Sequence, residues 1–404
     1  MPDDRLVLTG PRLADGRAVD VLLAAGRIAA VGTRDSLAGR VADGAARVDL
    51  AGWLLLPAPA EPHAHHDTAL TAGGAPPDAT SGALRRRVTE AALVQLGHGA
   101  TTQRTHVRIG DAVGLGALEA ALEARAALRD LADLRTVAVP RLLTGRAGAD
   151  NRAMLRDAAK MGVCALGGAP DLDPDPAGYA DLVLDLADEH GCPVDLHTAG
   201  DDPARLARLA SAAGAARFGV VIGPCDGLAR LPADVAVRAA EHLAASGVTV
   251  VCLPQGPCGL ADAAAGGGPG GTPARLLATA GVRVAAGGGA LRDAANPVGR
   301  GDPLDAAYQL ASHGALRPAG AYAAVSARAR AAIGAPEVRV EAGFPAELLA
   351  VRGESVAGAL SLAYSRLVIH RGRVVARTSA VREYCGAPED KGGGGPELPR
   401  QSTG

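Results

Sequence analysis

Glu61-Pro62-His63-Ala64-His65 closes an apolar run, Leu54 to Pro57, in the way a barrel strand ends at its mouth. Alternate side chains of an extended chain share a face, so His63 and His65 point the same way, where two imidazoles can grip one divalent metal. Metal-dependent chemistry needs further ligands and a proton-transfer group downstream. Several positions where they are expected hold Gly or Pro.

Downstream of the pair, from roughly 57 to 338, short β-like runs alternate with Ala- and Leu-rich helical stretches. The predicted strands are Thr102 to Val107, Leu134 to Val139, Gly162 to Leu166, Pro193 to His197, Gly219 to Ile222, Val248 to Leu253 and Val282 to Ala286. Predicted helices run from Leu84 to Leu96, Leu115 to Leu131, Asn151 to Lys160, Tyr179 to Glu189, Asp202 to Ala213, Ala233 to Ala245 and Pro273 to Ala280. With the strand ending near His63, the βα order is that of a closed parallel barrel. The N-terminal runs Arg5-Leu6-Val7-Leu8, Asp20 to Leu23 and Arg27 to Val31 are short strands separated by turn residues such as Gly10, Gly16 and Gly26. Their expected partners are Glu347 to Val351, Ser365 to His370 and Val374 to Arg377 at the other end of the chain.

The resulting expectation is an α/β fold: a (β/α)8 TIM-like barrel over 57–338 and a small composite β-sandwich from 1–56 and 339–385, followed by a flexible tail, 386–404. Ala263 to Gly271 reads as a loop insertion, since many glycines offer little packing. Trp53 is expected to help close the β domain over apolar surface.

Formal net charge is −2 and aromatic residues are 2% of the chain, which argues against nucleic-acid or anionic-membrane binding. The arginine run at 85 to 87 reads as a solvated helix face. Cysteines at 164, 192, 225, 252, 258 and 385 form no CxxC pair, fitting a reducing cytoplasm better than a disulfide framework. Cys252 and Cys258 flank a Pro/Gly segment and are near enough in sequence to meet, with a buried structural role preferred. No apolar leader or spanning run is seen.

The motif Glu61 to Gly73, with Arg104-Thr105-His106-Val107 and Asp195-Leu196-His197, resembles the cytosine-deaminase-like branch of the amidohydrolase superfamily. That resemblance implies a metal-dependent hydrolase of C–N bonds on the barrel described above. Its metal would lie between His63, His65 and His197, with zinc or iron equally acceptable to imidazole. The family's proton-shuttling glutamate falls at Gly200, its strand-six histidine at Pro224, and its strand-eight aspartate at Gly288. Asp201, Asp202, Asp226 and Asp293 are the nearby carboxylates, which compensate only through a shifted geometry, and Cys225 is a further alternative at strand six. Glu61 and Asp67 are expected to orient imidazoles, and His106 to line the pocket or steady a loop. His66 falls on the opposite strand face, and His197 has the competing reading of a hydrogen-bonded pocket residue.

Each proton-transfer group contributes roughly a hundred- to ten-thousand-fold. On that basis the leading expectation is a degenerate amidohydrolase-like protein with little hydrolysis, which binds a small heterocyclic ligand or serves as a scaffold, with either no cofactor or a single divalent metal. The alternatives are a divergent hydrolase or deaminase of cyclic amides and amidines, and a structural part of an assembly, including a homo-oligomer.

Overall fold

The computed structural model describes residues 5–37, 45–73, 78–110, 113–256, 258, 272–362 and 365–381. The insertion at Ala263 to Gly271 and the tail beyond Cys385 lie outside the described residues.

β1 (Leu6–Thr9), β2 (Val19–Ala24), β3 (Arg27–Thr33) and β4 (Ala46–Asp49) form a sheet in the order β3-β2-β1-β4. β5 (Trp53–Pro57) leaves it for a second sheet. The barrel then runs through β6 (Ala60–Ala64), β7 (Thr102–Ile109), β8 (Asp133–Pro140) and β9 (Ala165–Gly168). It continues through β10 (Val194–Thr198), β11 (Val220–Pro224), β12 (Thr249–Cys252) and β13 (Arg283–Ala286). β14 (Leu348–Arg352), β15 (Arg366–His370) and β16 (Arg373–Thr378) complete the second sheet, in the order β16-β15-β14-β5.

The eight strands β6 to β13 are neighbours in chain order, every pairing is parallel, and a parallel bridge from Ala64 to Gly289 draws the last strand toward the first. This is the (β/α)8 barrel. Strands covered on both faces read as unbroken apolar runs, which is why these segments were legible. Val194, Leu196, Val220, Ile222, Val250 and Val284 face outward into one large core with the helices. The alternate positions face inward, so Asp195 and His197 share the barrel interior with Val221 and Val251.

The apolar run before the His pair belongs elsewhere. Leu54 pairs with Val351 and Leu56 with Leu349 in antiparallel register, so the run is a strand of the second sheet. The first barrel strand is the separate segment Ala60–Ala64. The cause is the better partner: β14 offers β5 a continuous row of buried aliphatic residues.

The two small sheets bury Leu8, Val21, Leu23 and Ile28 against Leu348, Ala350, Leu367 and Ile369. Each such aliphatic side chain contributes about 1.5–3 kcal/mol on burial, which explains how short strands from distant parts of the chain hold together. Trp53 packs at the edge of that core with the Arg352 guanidinium 5.9 Å from its ring centre. β4 was not expected; only Val48 in it carries a sizeable apolar side chain.

Three helices after β13 were also not expected: Pro303–Ser312, Pro318–Val325 and Ala327–Ala332. Ala329 and Ile333 from this region pack with Ala60 and Ala285, stopping the end of the barrel where the strands begin. Arg366 on β15 binds both oxygens of Asp302, 2.8 and 2.6 Å away, and Asp302 in turn caps the first of these helices. That ion pair fastens the second sheet to the barrel. No described helix is long and apolar enough to cross a membrane.

Candidate metal centre

His63 near the end of β6, His65 just beyond it, His106 on β7 and His197 on β10 converge inside the barrel toward the ends of the strands, all within 5% of complete burial. The Nε2 atoms of His63 and His65 lie 3.2 Å apart. His197 Nε2 is 2.9 Å from the Cys258 thiol, which is itself 3.5 Å from His63 Nε2. The ring of His106 stands against that of His63, with centroids 4.0 Å apart.

A tetrahedral divalent centre with nitrogen and sulfur donors has ligand-to-ligand edges of about 3.3–3.6 Å. The separations of 3.2 and 3.5 Å fit that figure, and 2.9 Å is somewhat short of it. Burial, followed by neighbouring imidazoles, holds His63 and His65 well below the ordinary histidine range, and burial takes His197 down to about 4. At neutral pH these rings are therefore uncharged, the state in which imidazole binds a metal.

Below them, Asp195 Oδ2 accepts a 2.8 Å hydrogen bond from Arg104, and Asp195 Oδ1 stands 3.3 Å from His106 Nε2. Burial pushes the Asp195 carboxyl up, but His106 and Arg104 outweigh it and keep the group below its usual range. The distance to His106 suits an ion pair, although it lacks hydrogen-bond alignment, and His106 Nδ1 is buried with no hydrogen-bond partner among the described residues. Arg104 and Asp195 thus form a buried charged pair under a set of neutral rings.

The other acids go elsewhere. Asp201 is exposed, 3.9 Å from Arg230, and Asp202 caps the helix Pro203–Ala215 through the amides of Ala204 and Arg205. Asp293 accepts from the amides of Ala295 and Asn296 and from the Thr68 hydroxyl. Asp226, raised to about 6 by burial, has a buried oxygen without a partner but joins no candidate metal group with a histidine among the described residues. Asp202 and Asp293 are held by the helix end and the turn that their sequence positions start.

Glu61 does not orient an imidazole. Its two oxygens accept from the amides of His63 and Gly288, 3.0 and 2.7 Å away, so it stitches the first barrel strand to the segment after the last. Asp67 instead meets Arg108 at 3.4 Å, and His66 turns outward to Gln95, 2.8 Å away. Sequence position placed these residues beside the pair but not their partners.

Gly200 has φ +69°, and a Cβ there would stand 3.3 Å from Cys225 Cα. Pro224 ends β11 opposite Thr198, and Cys225 is buried with its amide donating to Thr198. A Cβ on Gly288 would meet Gly301 and Glu61, whereas one on Gly289 would face Leu253 and Cys258. Cys252 lies in the core outside the barrel, so it does not meet Cys258. Cys258, for which the sequence favours a buried structural role, stands instead against His197 and His63. Its only signal was position, on the segment following a barrel strand, where barrels assemble their sites.

A cavity of about 540 Å³, lined by Arg104, Arg217, Gly219 and Arg283 among others, includes none of these histidines.

No protein-family model matches the chain. It is 29% identical over 310 residues to the pterin deaminase of Rhizobium rhizogenes, a match spanning 73% of this chain and 70% of that protein. It is 32% identical over 131 residues to the N-isopropylammelide isopropyl amidohydrolase of Pseudomonas sp. (strain ADP), covering 30% of each. Its fold matches the crystal structure of 5-methylcytosine deaminase from Klebsiella pneumoniae liganded with 5-fluorocytosine, with a TM-score of 0.78 and 24% identity over 94% of this chain and 99% of that one.

Proposed function

We propose that the chain is a member of the cytosine-deaminase-like branch of the amidohydrolase superfamily, a metal-dependent hydrolase cleaving a C–N bond of a cyclic amide or amidine, a reading supported by its likeness to the pterin deaminase and the isopropylammelide amidohydrolase. The observation that carries this reading is the cluster of buried, neutral His63 and His65 with the Cys258 thiol, their donor atoms within 4.8 Å of one another, and His197 standing 2.9 Å from that thiol. A divalent ion held there by these residues would supply Lewis acidity, activating water for attack on the amide or amidine carbon. Heterocycles of the cytosine and pterin types are the substrates favoured by the relatives.

His106 is the group placed to carry a proton. It lies between the Asp195 carboxylate and the His63 ring, and its unpartnered Nδ1 is a position for a proton to be taken up or returned. Asp195, kept ionised by His106 and Arg104, stands 3.3 Å from the His106 ring nitrogen. The burial of the whole group excludes water and strengthens each of these interactions.

The displaced carboxylates favour a second reading, a heterocycle-binding protein with little turnover. In that reading the pocket is retained while Asp201, Asp202 and Asp293 serve a surface pair, a helix cap and a turn. Loading the purified chain with zinc or iron and screening cytosine-, pterin- and ammelide-like compounds for release of ammonia or amine separates the two. Turnover supports the hydrolase, while binding of the same compounds without release supports the second reading.

A further inference from the structure

We propose that Cys258 is a protein ligand of the metal, supplying from the segment after β12 the anionic donor that the end of β13 lacks, and that the resulting three-imidazole, one-thiolate site takes zinc. The proposal rests on the metal-centre reading above and specifies its chemistry.

Cys258 is 1% exposed, and its Sγ touches two of the three candidate imidazoles, His197 at 2.9 Å and His63 at 3.5 Å. His63, His65 and Cys258 place their donor atoms within 4.8 Å of one another, and His197 joins this set through its contact with the thiol, its ring centre 5.4 Å from that of His63. The end of β13 cannot contribute a side chain here. Gly287, Gly288 and Gly289 carry none, and a Cβ built on Gly289 would already stand 3.1 Å from Leu253 Cδ1 and 3.6 Å from Cys258 Cβ. The thiol and Leu253 therefore fill the volume beside that strand end.

Charge argues the same way. Three neutral imidazoles leave a bound dication uncompensated, and Asp195 is already matched by Arg104. A thiolate removes one unit of that charge, its proton passing to solvent as the metal is taken up. Soft sulfur with imidazole in near-tetrahedral order favours zinc over metals that prefer oxygen donors. A ligated thiolate is a poor acceptor for a substrate proton, so proton carriage stays with His106.

The test uses the full chain, depleted of metal and titrated with zinc, and a parallel sample loaded with cobalt(II) as a spectroscopic substitute. We expect one zinc per chain and a thiolate-to-cobalt charge-transfer absorption in the near ultraviolet. Cys258→Ser and Cys258→Ala, each checked for native circular dichroism, should lose that absorption and bind zinc on the order of a hundredfold more weakly, at the upper end of what loss of a supporting partner costs. Zinc should also slow alkylation of Cys258 by iodoacetamide. The proposal is overturned if both variants keep wild-type affinity and spectrum, or if the thiol alkylates equally fast with and without metal, as a nucleophile paired with His197 would. Those results leave the metal centre itself standing; failure of the wild-type chain to bind any metal overturns the centre and the proposal together.

Discussion

The Nε2 atoms of His63 and His65 stand 3.2 Å apart inside the barrel, an approach in which one ring donates to the other or both serve a single cation. The metal-centre account predicts that His65→Ala lowers zinc affinity at least about tenfold, as loss even of a supporting partner does. His66→Ala should leave zinc binding unchanged, because His66 turns away to Gln95. Calorimetric titration of both variants checks the pair, and equal losses would mean that the effect is general unfolding.

Arg104 and Asp195 form a 2.8 Å ion pair, both 2% exposed or less. Removing one partner strands a buried charge, so Asp195→Ala should cost about 3–5 kcal/mol in urea unfolding. Replacing both with Leu and Met should recover most of that loss, since a buried pair is often matched by well-packed apolar residues. A double variant no more stable than the worse single one would show that the pair is worth more than its burial costs.

Burial raises the Asp226 carboxyl from its ordinary 3.8 to about 6, so the folded state holds more protons between those values and loses stability as pH rises through them. Asp226→Asn removes that dependence. Its stability advantage over the wild type should grow from pH 4 to pH 6 and stay level above, reaching about 2–3 kcal/mol. Thermal unfolding across that range reads the difference; an advantage independent of pH would contradict the buried, unpartnered carboxyl.

Restoring a glutamate at position 200 should not restore proton transfer. Gly200 has φ +69°, and its missing Cβ direction is taken up by Cys225 and Leu206. Gly200→Glu should cost about 1–2 kcal/mol for the left-handed backbone and leave hydrolysis unchanged. A stable variant with higher turnover would show that the backbone there can be recast.

The barrel was legible because its strands are short apolar runs between amphipathic helices, and each predicted barrel strand overlaps an observed one. The exception was the run before the His pair. Local sequence cannot tell β5 from the start of β6, since the distinction lies in pairing with Leu348–Arg352, nearly three hundred residues away. The helix Pro318–Val325 escaped notice because its Ala-rich sequence carries little periodic contrast. In the site, strand alternation puts His63 and His65 on one face, and their Nε2 atoms lie 3.2 Å apart. It said nothing of Cys258, which no strand period governs, or of where Glu61 sends its oxygens. Loop residues take their direction from tertiary contacts, and those were not written in spacing.

The most direct test of hydrolysis is ammonia release from cytosine- and pterin-type heterocycles by the zinc-loaded chain, measured beside metal-free protein and His197→Ala. The account predicts turnover that requires zinc and falls at least a hundredfold in the variant, the order set by loss of a group acting on the reacting atoms. Zinc bound at one per chain, with the heterocycles bound and no ammonia released, would contradict it.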